Sequence, residues 1–370
     1  MNTAKTMIKF KNYPDLYTYR RSSVLSPEAQ KATYDLGRAI QDMNVRPDKI
    51  VLFRNSLKNI SPGAVPRALD EIREIASLYR TQDYKIKSGA FHNIFCIKKP
   101  HREKQTILLQ ANPDLAWLFL FHGNGYVRQE ALDNLVSLPI SSFEFTAIVY
   151  RLNDWVENVR FSAAQYASKN FTKIAPEIIG QSVFFLINQS GVFRRWEKEK
   201  QILLDEAIYR SDVLDYLKYE FIEIQSGSVG QTLQQLLKRS DFDGYLPELA
   251  SLAALPSVRA LALKTILFSK AEWFTGYKRQ WVNKALGIDR RLANFETRLI
   301  TIPTDFDKFL IMAGNDKSAH VRKVAASTLI YKRSEATNTM DKVAVILKND
   351  KNSSVRSRVN FYIRKRNDKE

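Results

Sequence analysis

Residues 315–329 read NDKSAHVRKVAASTL. A turn-forming Asn-Asp-Lys-Ser run leads into a segment whose apolar and small positions, Val321, Val324, Ala325, Thr328 and Leu329, recur at the three-and-four spacing of a helix. Its centre, Val-Arg-x-x-Ala, returns as VRQEA at 127–131, VRFSA at 159–163 and VRALA at 258–262, and as VRSRV at 355–359 with Val in the last place. The arginines stand at 128, 160, 259, 322 and 356. Their gaps of 32, 99, 63 and 34 are one, three, two and one periods of about 32 residues. Self-similarity at such a period marks a repeat architecture, in which each unit buries its apolar face only against its neighbours.

The empty slots of this period have candidates: VFRRWEKEKQILLDEA at 192–207, SVGQTLQQLL at 228–237 and IDRRLANFETRLI at 288–300. This makes eight units from about residue 112 onward, each reading as two helices. The turns HGNGY, RLNDW, NQSG, LPS, GNDKSA and NDKNSS carry the residues that end and start helices. Small residues such as Ala163, Ala164, Ala262, Ala325 and Ala326 let neighbouring helices approach. The expectation is an all-α chain: a solenoid of about eight two-helix units over 111–370, preceded by a helical N-terminal region over 1–110. In the latter, PEAQKATYDLGRAIQDM, RPDKIVLFRNSLKNI and PGAVPRALDEIREIASLYR read as helices with Pro near their starts. Residues 82–110 are the irregular connector, with alternation suited to a hairpin or an ordered loop.

The net charge is +18 and the pI about 9.7, with basic residues spread along the whole chain. Such a field belongs to the folded body and points to a polyanion, nucleic acid first. RNA or an acidic protein fits the same charge. One cysteine, Cys96, forbids an internal disulfide, and with four histidines it argues against a structural zinc site. No apolar run is long enough for a membrane span, and residues 1–15 lack the apolar core of a secretory signal. A cytoplasmic protein without cofactor or metal is expected. P-loop, GxSxG, HExxH and EF-hand patterns are all missing from the sequence.

The signature of an Asp followed by Val-Arg-x-x-Ala, as at 315–329, resembles the HEAT-repeat family, over roughly the last 70% of the chain. The resemblance implies a ladder in which the repeated Arg pairs with the Asp or Asn of a turn. Asp154 and Asp316 precede Arg160 and Arg322 by six residues, so such a ladder is available. The alternative role is that Arg128, Arg160, Arg322 and Arg356 line one face and grip phosphates. Helices stacked about 10 Å apart would match duplex DNA, which carries one charge per about 1.7 Å of axis. Contacts of this kind follow the backbone and carry no base reading. A monomer suffices for them.

Two stretches mix aromatic rings with cations, the pattern for stacking on bases beside a held backbone. At 271–291, AEWFTGYKRQWVNKALGIDRR sets Trp273, Phe274, Tyr277 and Trp281 among Lys278, Arg279, Lys284, Arg290 and Arg291. Eight residues apart, Trp273 and Trp281 fall on one face of a helix and serve equally as core between repeats. The second stretch is VFRRWEKEK at 192–200.

A weaker resemblance is to the HEAT-like-repeat alkylpurine DNA glycosylases, carried by NDWVEN at 153–158 and SGVFRR at 190–195, about one repeat apart. It implies cleavage of the N-glycosidic bond of a modified or damaged base. Asp154 or Glu157 would be the carboxylate that stabilises positive charge on the sugar. Arg194 would hold the flanking phosphate, Trp155 or Trp196 would pack on the deoxyribose, and Phe193 and Arg195 would complete the contact. The bland alternatives are a helix cap or ladder partner for Asp154 and a solvated first-turn residue for Glu157. A non-catalytic scaffold for an acidic protein or nucleic acid is the other functional class.

Overall fold

Val127, Val159, Val258, Val321 and Val355 are all buried, and so are the residues four further on, Ala131, Ala163, Ala262, Ala325 and Val359. Positions i and i+4 share one helical face, so the repeated motif is a core-facing pair with an Arg one step round the helix. The computed structural model describes residues 23–79, 100–189 and 198–367. It is mostly helical, with one two-stranded antiparallel sheet among the described residues. Two compact units divide it, Met1–Arg210 and Ser211–Glu370.

The first unit begins with α1 (Pro27–Gln41), α2 (Pro47–Ser56) and α3 (Val65–Ile75), each with Pro in its first turn as the sequence predicts. Then come α4 (Pro100–Ala111), α5 (Ala116–Phe119), α6 (Gly125–Asn134), α7 (Ser142–Leu152), α8 (Glu157–Asn170), α9 (Pro176–Leu186) and α10 (Lys198–Ile208). Helix α4 packs on α6, α6 on α8, α8 on α10, and α7 on α9. Alternate helices therefore form two layers, with Leu109, Trp117, Phe143, Ile148, Val183 and Leu204 among the core between them. The irregular connector expected over 82–110 is replaced in part by α4, which begins at Pro100; residues 82–99 lie outside the described ones.

The N-terminal helices dock on this stack through a buried ion pair. Arg54 of α2 donates from Nε to Glu144 Oε1 at 2.8 Å and from Nη2 to Oε2 at 3.0 Å. Its guanidinium lies 4.8 Å over the Trp117 ring. Burial raises the Glu144 carboxyl above its ordinary value although Arg54 and the Ile140 amide oppose the shift.

The second unit holds α11 (Ser211–Glu223), α12 (Val229–Leu236), α13 (Leu246–Leu252), α14 (Pro256–Leu267), β1 (Lys270–Asn283), β2 (Ile288–Leu299), α15 (Phe306–Gly314), α16 (Ala319–Tyr331), α17 (Asn338–Leu347) and α18 (Ser353–Asn367). Helix α12 packs on α14, α14 on α16, α16 on α18, and α15 on α17. The slot at 288–300 is thus a strand, and the aromatic stretch before it is its antiparallel partner. The helix expected for both is corrected. Trp, Phe, Thr, Tyr and Val suit a pleated strand. The sequence between the strands makes a turn: Asn283 Oδ1 accepts from Leu286 N at 3.2 Å, and Gly287 takes a φ of +66° that favours glycine.

Candidate functional site

The five repeated arginines share one arrangement. Each Nη1 donates to the carbonyl six residues back: Arg128 to His122 at 2.8 Å, Arg160 to Asp154 at 3.0 Å, Arg259 to Ala253 at 2.7 Å, Arg322 to Asp316 at 2.9 Å and Arg356 to Asp350 at 2.6 Å. These are the carbonyls of the turn before the helix, which have no partner within a helix. Three of the arginines then reach the next turn in the series with a two-point ion pair. Arg128 meets Asp154 at 2.9 and 2.7 Å, Arg259 meets Asp316 at 2.8 and 3.0 Å, and Arg322 meets Asp350 at 2.5 and 3.1 Å. Each aspartate also accepts from the amide two residues on, Val156, Ser318 or Asn352.

The ladder is therefore present, with one change of partner. Asp154 and Asp316 give Arg160 and Arg322 only a backbone carbonyl, and their carboxylates go to the preceding arginines. Arg128 is 2% exposed, and four of its five N–H donors are engaged by Asp154 and the carbonyls of His122 and Gly123. Arg128 thus has the structural role that the ladder implies. Arg322 spends its guanidinium in the same way, on Asp350 and the carbonyls of Asp316 and Lys317. Arg356 holds the carbonyls of Asp350 and Lys351.

Asp154 is 5% exposed. Its Oδ1 accepts from Arg128 Nη2 and Val156 N, and its Oδ2 from Arg128 Nε and Arg151 Nη1 at 2.6 Å. Burial alone would raise its pKa, but the two guanidiniums and the amide outweigh that and hold it below the usual carboxylate range. It is ionised, and its four hydrogen-bonding directions are filled. Asp154 is thus a ladder residue, the alternative expected for it, with Arg128 rather than Arg160 as the partner of its carboxylate. Glu157, at the start of α8, is exposed. Phe193, Arg194, Arg195 and Trp196 lie outside the described residues.

Beside Asp154 opens a cleft of about 280 Å³, lined by Arg73, Gly123, Arg128, Tyr150, Arg151, Asn153, Asp154 and Trp155. The ring of Trp155 is at its edge, 59% exposed. Burial raises the Tyr150 hydroxyl above its ordinary pKa and pulls Arg151 down to about 10. Arg73 and Arg151 belong to no repeated motif. The only hint of Arg151 in the sequence is its place three residues before Asp154, at the end of a helix.

The hairpin of β1 and β2 is the second cluster. The register pairs Trp273 with Glu296, Phe274 with Phe295, Tyr277 with Ala293, Arg279 with Arg291 and Trp281 with Asp289. Strand alternation, reset by a bulge between Phe274 and Gly276, puts Phe274, Tyr277, Arg279, Trp281, Arg291 and Phe295 on one face. Gly276, with φ +131°, occupies that bulge. Trp273 falls on the other face with Lys278 and Arg290, so the shared helical face expected for Trp273 and Trp281 is corrected.

On the aromatic face, Phe274 meets Tyr277 and Phe295 edge-on at 5.1 and 5.8 Å, and the Arg279 guanidinium lies 4.0 Å over Trp281. Arg279 also donates to Asp289 at 2.7 Å, which offsets its repulsion from Arg291 across the strands. Tyr277 is 68% exposed, and Lys278, Lys284, Arg290 and Arg291 are exposed with it. The base of the hairpin is fixed by Arg298, which sequence reading missed. It donates to Asp243 at 2.5 and 2.7 Å and to the carbonyls of Leu237 and Arg239.

Among the described residues no group of three or more His, Cys, Asp or Glu is placed to hold a metal, and no helix is long and apolar enough to cross a membrane. No protein-family model matches the chain, and no curated protein is significantly similar to it.

Proposed function

We propose that the protein binds duplex DNA, and that the hairpin of residues 270–299 is its principal contact. The observation that carries this is the aromatic face of the hairpin, exposed and bordered by cations. The segment has seven Lys and Arg against three Asp and Glu. Exposed apolar rings are costly to leave in water unless a partner covers them. Rings beside guanidiniums suit bases or deoxyriboses next to phosphates. The helices fit this reading as HEAT-like pairs: Arg–Asp ladder pairs join α6 to the turn before α8 in the first unit, and α14 to the turn before α16 and α16 to the turn before α18 in the second, with the hairpin inserted between α14 and α15. Such a ladder holds the scaffold on which the hairpin stands and leaves phosphate contact to other cations.

The test is fluorescence anisotropy with labelled duplex DNA over a salt series. The logarithm of affinity falls with the logarithm of salt at a slope of about −0.9 per phosphate neutralised. Shortening the hairpin flattens that slope and weakens binding. A slope near zero, or equal affinity after shortening, overturns the reading. Preference for single-stranded RNA, or for an acidic protein, redirects it.

Base excision is a second reading, favoured by the cleft that sets Trp155 beside Arg73 and Arg151. The acid in that reading is Asp154, which lines the cleft, or Glu157 at the start of α8. It predicts alkali-sensitive abasic sites in alkylated or otherwise modified DNA, lost in Asp154→Asn or in Glu157→Gln with DNA binding retained.

A further inference from the structure

We infer that the cleft between α3, α6 and α7 is a binding site for a nucleoside phosphate, with Arg73 and Arg151 holding the phosphoryl group and Trp155 covering the sugar or base. Three arginines and one aspartate line the cleft. Arg128 and Asp154 neutralise each other in a two-point pair, so the positive charge that remains belongs to Arg73 and Arg151.

Arg151 is the unusual group. It is 7% exposed and makes one hydrogen bond, from Nη1 to Asp154 Oδ2 at 2.6 Å. Its Nε is buried with no hydrogen-bond partner. A buried guanidinium with an orphaned donor costs stability unless something else uses it. Asp154 already serves two arginines, so the cleft holds one cation more than its carboxylate compensates. Arg73 adds to the excess. It anchors α3 by donating from Nε to Phe121 O at 3.1 Å, and its other bond, to Asp70 at 3.1 Å, is on the surface and readily exchanged. A cleft with surplus guanidiniums selects a phosphate by paired, charge-assisted hydrogen bonds.

Trp155 decides what the phosphate is attached to. The residue follows the Asx turn in which Asp154 Oδ1 accepts from Val156 N at 3.0 Å, and this turn fixes the backbone that carries the indole. An exposed indole on the rim of a cationic cleft offers a flat apolar face to a base or a sugar. The volume of about 280 Å³ lies just below the usual range for ligand pockets, about 300–1,000 Å³, and holds one nucleotide unit at most. The site also gives the N-terminal helices a part in function, because Arg73 comes from α3.

The ligand has two sources, a free mononucleotide or one unit of a nucleic-acid strand. Calorimetric titration of the full chain with AMP and with inorganic phosphate tests the site, using Arg73→Gln and Trp155→Ala. Both positions reach solvent, so these variants keep the fold, checked by circular dichroism. The expected result is AMP binding tighter than phosphate, weakened about tenfold or more by Arg73→Gln and brought to the level of phosphate by Trp155→Ala. No AMP binding at millimolar concentration, or equal binding in both variants, overturns the proposal. Displacement of AMP by a short single-stranded oligonucleotide assigns the site to a strand, and lack of displacement assigns it to the free nucleotide. The hairpin-shortened chain separates this site from the DNA contact proposed above. It keeps AMP binding even where that contact fails.

Discussion

Arg259 and Asp316 stand 57 residues apart in sequence and meet in a two-point ion pair of 2.8 and 3.0 Å. The equivalent pairs Arg128–Asp154 and Arg322–Asp350 are separated by 26 and 28 residues. The excess is the hairpin, which leaves the stack after α14 and returns before α15. Helices α14 and α16 still pack directly on each other across the insertion.

Shortening the hairpin therefore leaves the helical stack intact. Replacing residues 274–295 by Asn-Gly joins the paired Trp273 and Glu296 through a two-residue turn and keeps the Arg298 anchor. The far-UV helical signal is unchanged and DNA affinity drops at least tenfold, of order 1.4 kcal/mol. Loss of helix on shortening would make the hairpin part of the core.

Asp154→Asn costs more stability than any other single change in the ladder. It leaves Arg128 and Arg151 buried without a counter-charge, a loss of about 3–5 kcal/mol in urea unfolding. Asp350→Asn costs less, since Arg322 is nearer to solvent. An Asp154→Asn protein of wild-type stability would remove Asp154 from the ladder's contribution to the fold.

The ladder also predicts acid sensitivity. Burial raises and Arg259 with the Ser318 amide lowers the Asp316 carboxyl, with a net shift downward. The hydrogen bonds from Arg322 lower Asp350, and those from Arg366 and Tyr362 lower Asp341. Asp154 is lowered as well. A carboxyl whose folded pKa lies below its unfolded one stabilises the fold above the unfolded value, and loses that contribution as pH falls through the folded one. The contribution of these aspartates is thus complete above the ordinary aspartate range near pH 4, and thermal midpoints fall steeply below it. In Asp350→Asn the fall is shallower. An identical slope in the variant would remove the ladder from the account.

Gly37→Ala tests the docking of the N-terminal helices. A Cβ there meets the backbone Cα of Ala76 at 2.6 Å, so α1 and the end of α3 must separate. The expected cost is about 1–3 kcal/mol. Gly230→Ala is the control, with nothing within 4 Å of its Cβ and a gain of up to about 1 kcal/mol in helix propensity. Equal effects at the two sites would mean that helix propensity, and not packing, decides both.

Much of the architecture was legible in the sequence. The Val-Arg-x-x-Ala motif predicts α6, α8, α14, α16 and α18, because a buried pair at i and i+4 leaves its mark at helical spacing. The three N-terminal helices are legible through their prolines. The 63-residue gap from Arg259 to Arg322 matches two periods in the sequence, whereas in the structure the hairpin of β1 and β2 occupies about half of it. Length alone does not separate these, since the hairpin is nearly as long as a unit. The alternation in IDRRLANFETRLI was a usable signal for β2, hidden because charged residues occupy both strand faces.

The sequence by itself determined that a basic, repeating, mostly helical chain would form, because periodic burial and net charge are local and additive properties. Only the tertiary structure decided what the charges do. Asp154 was a candidate acid when read beside Trp155, and it became a ladder residue once Arg128, 26 positions earlier, was seen to fill it. Arg151 has no signature in the sequence, and in the fold it is a buried cation whose Nε has no hydrogen-bond partner. An ionised side chain acts through the partners within a few ångströms, and the chain fold, not sequence distance, brings those partners together.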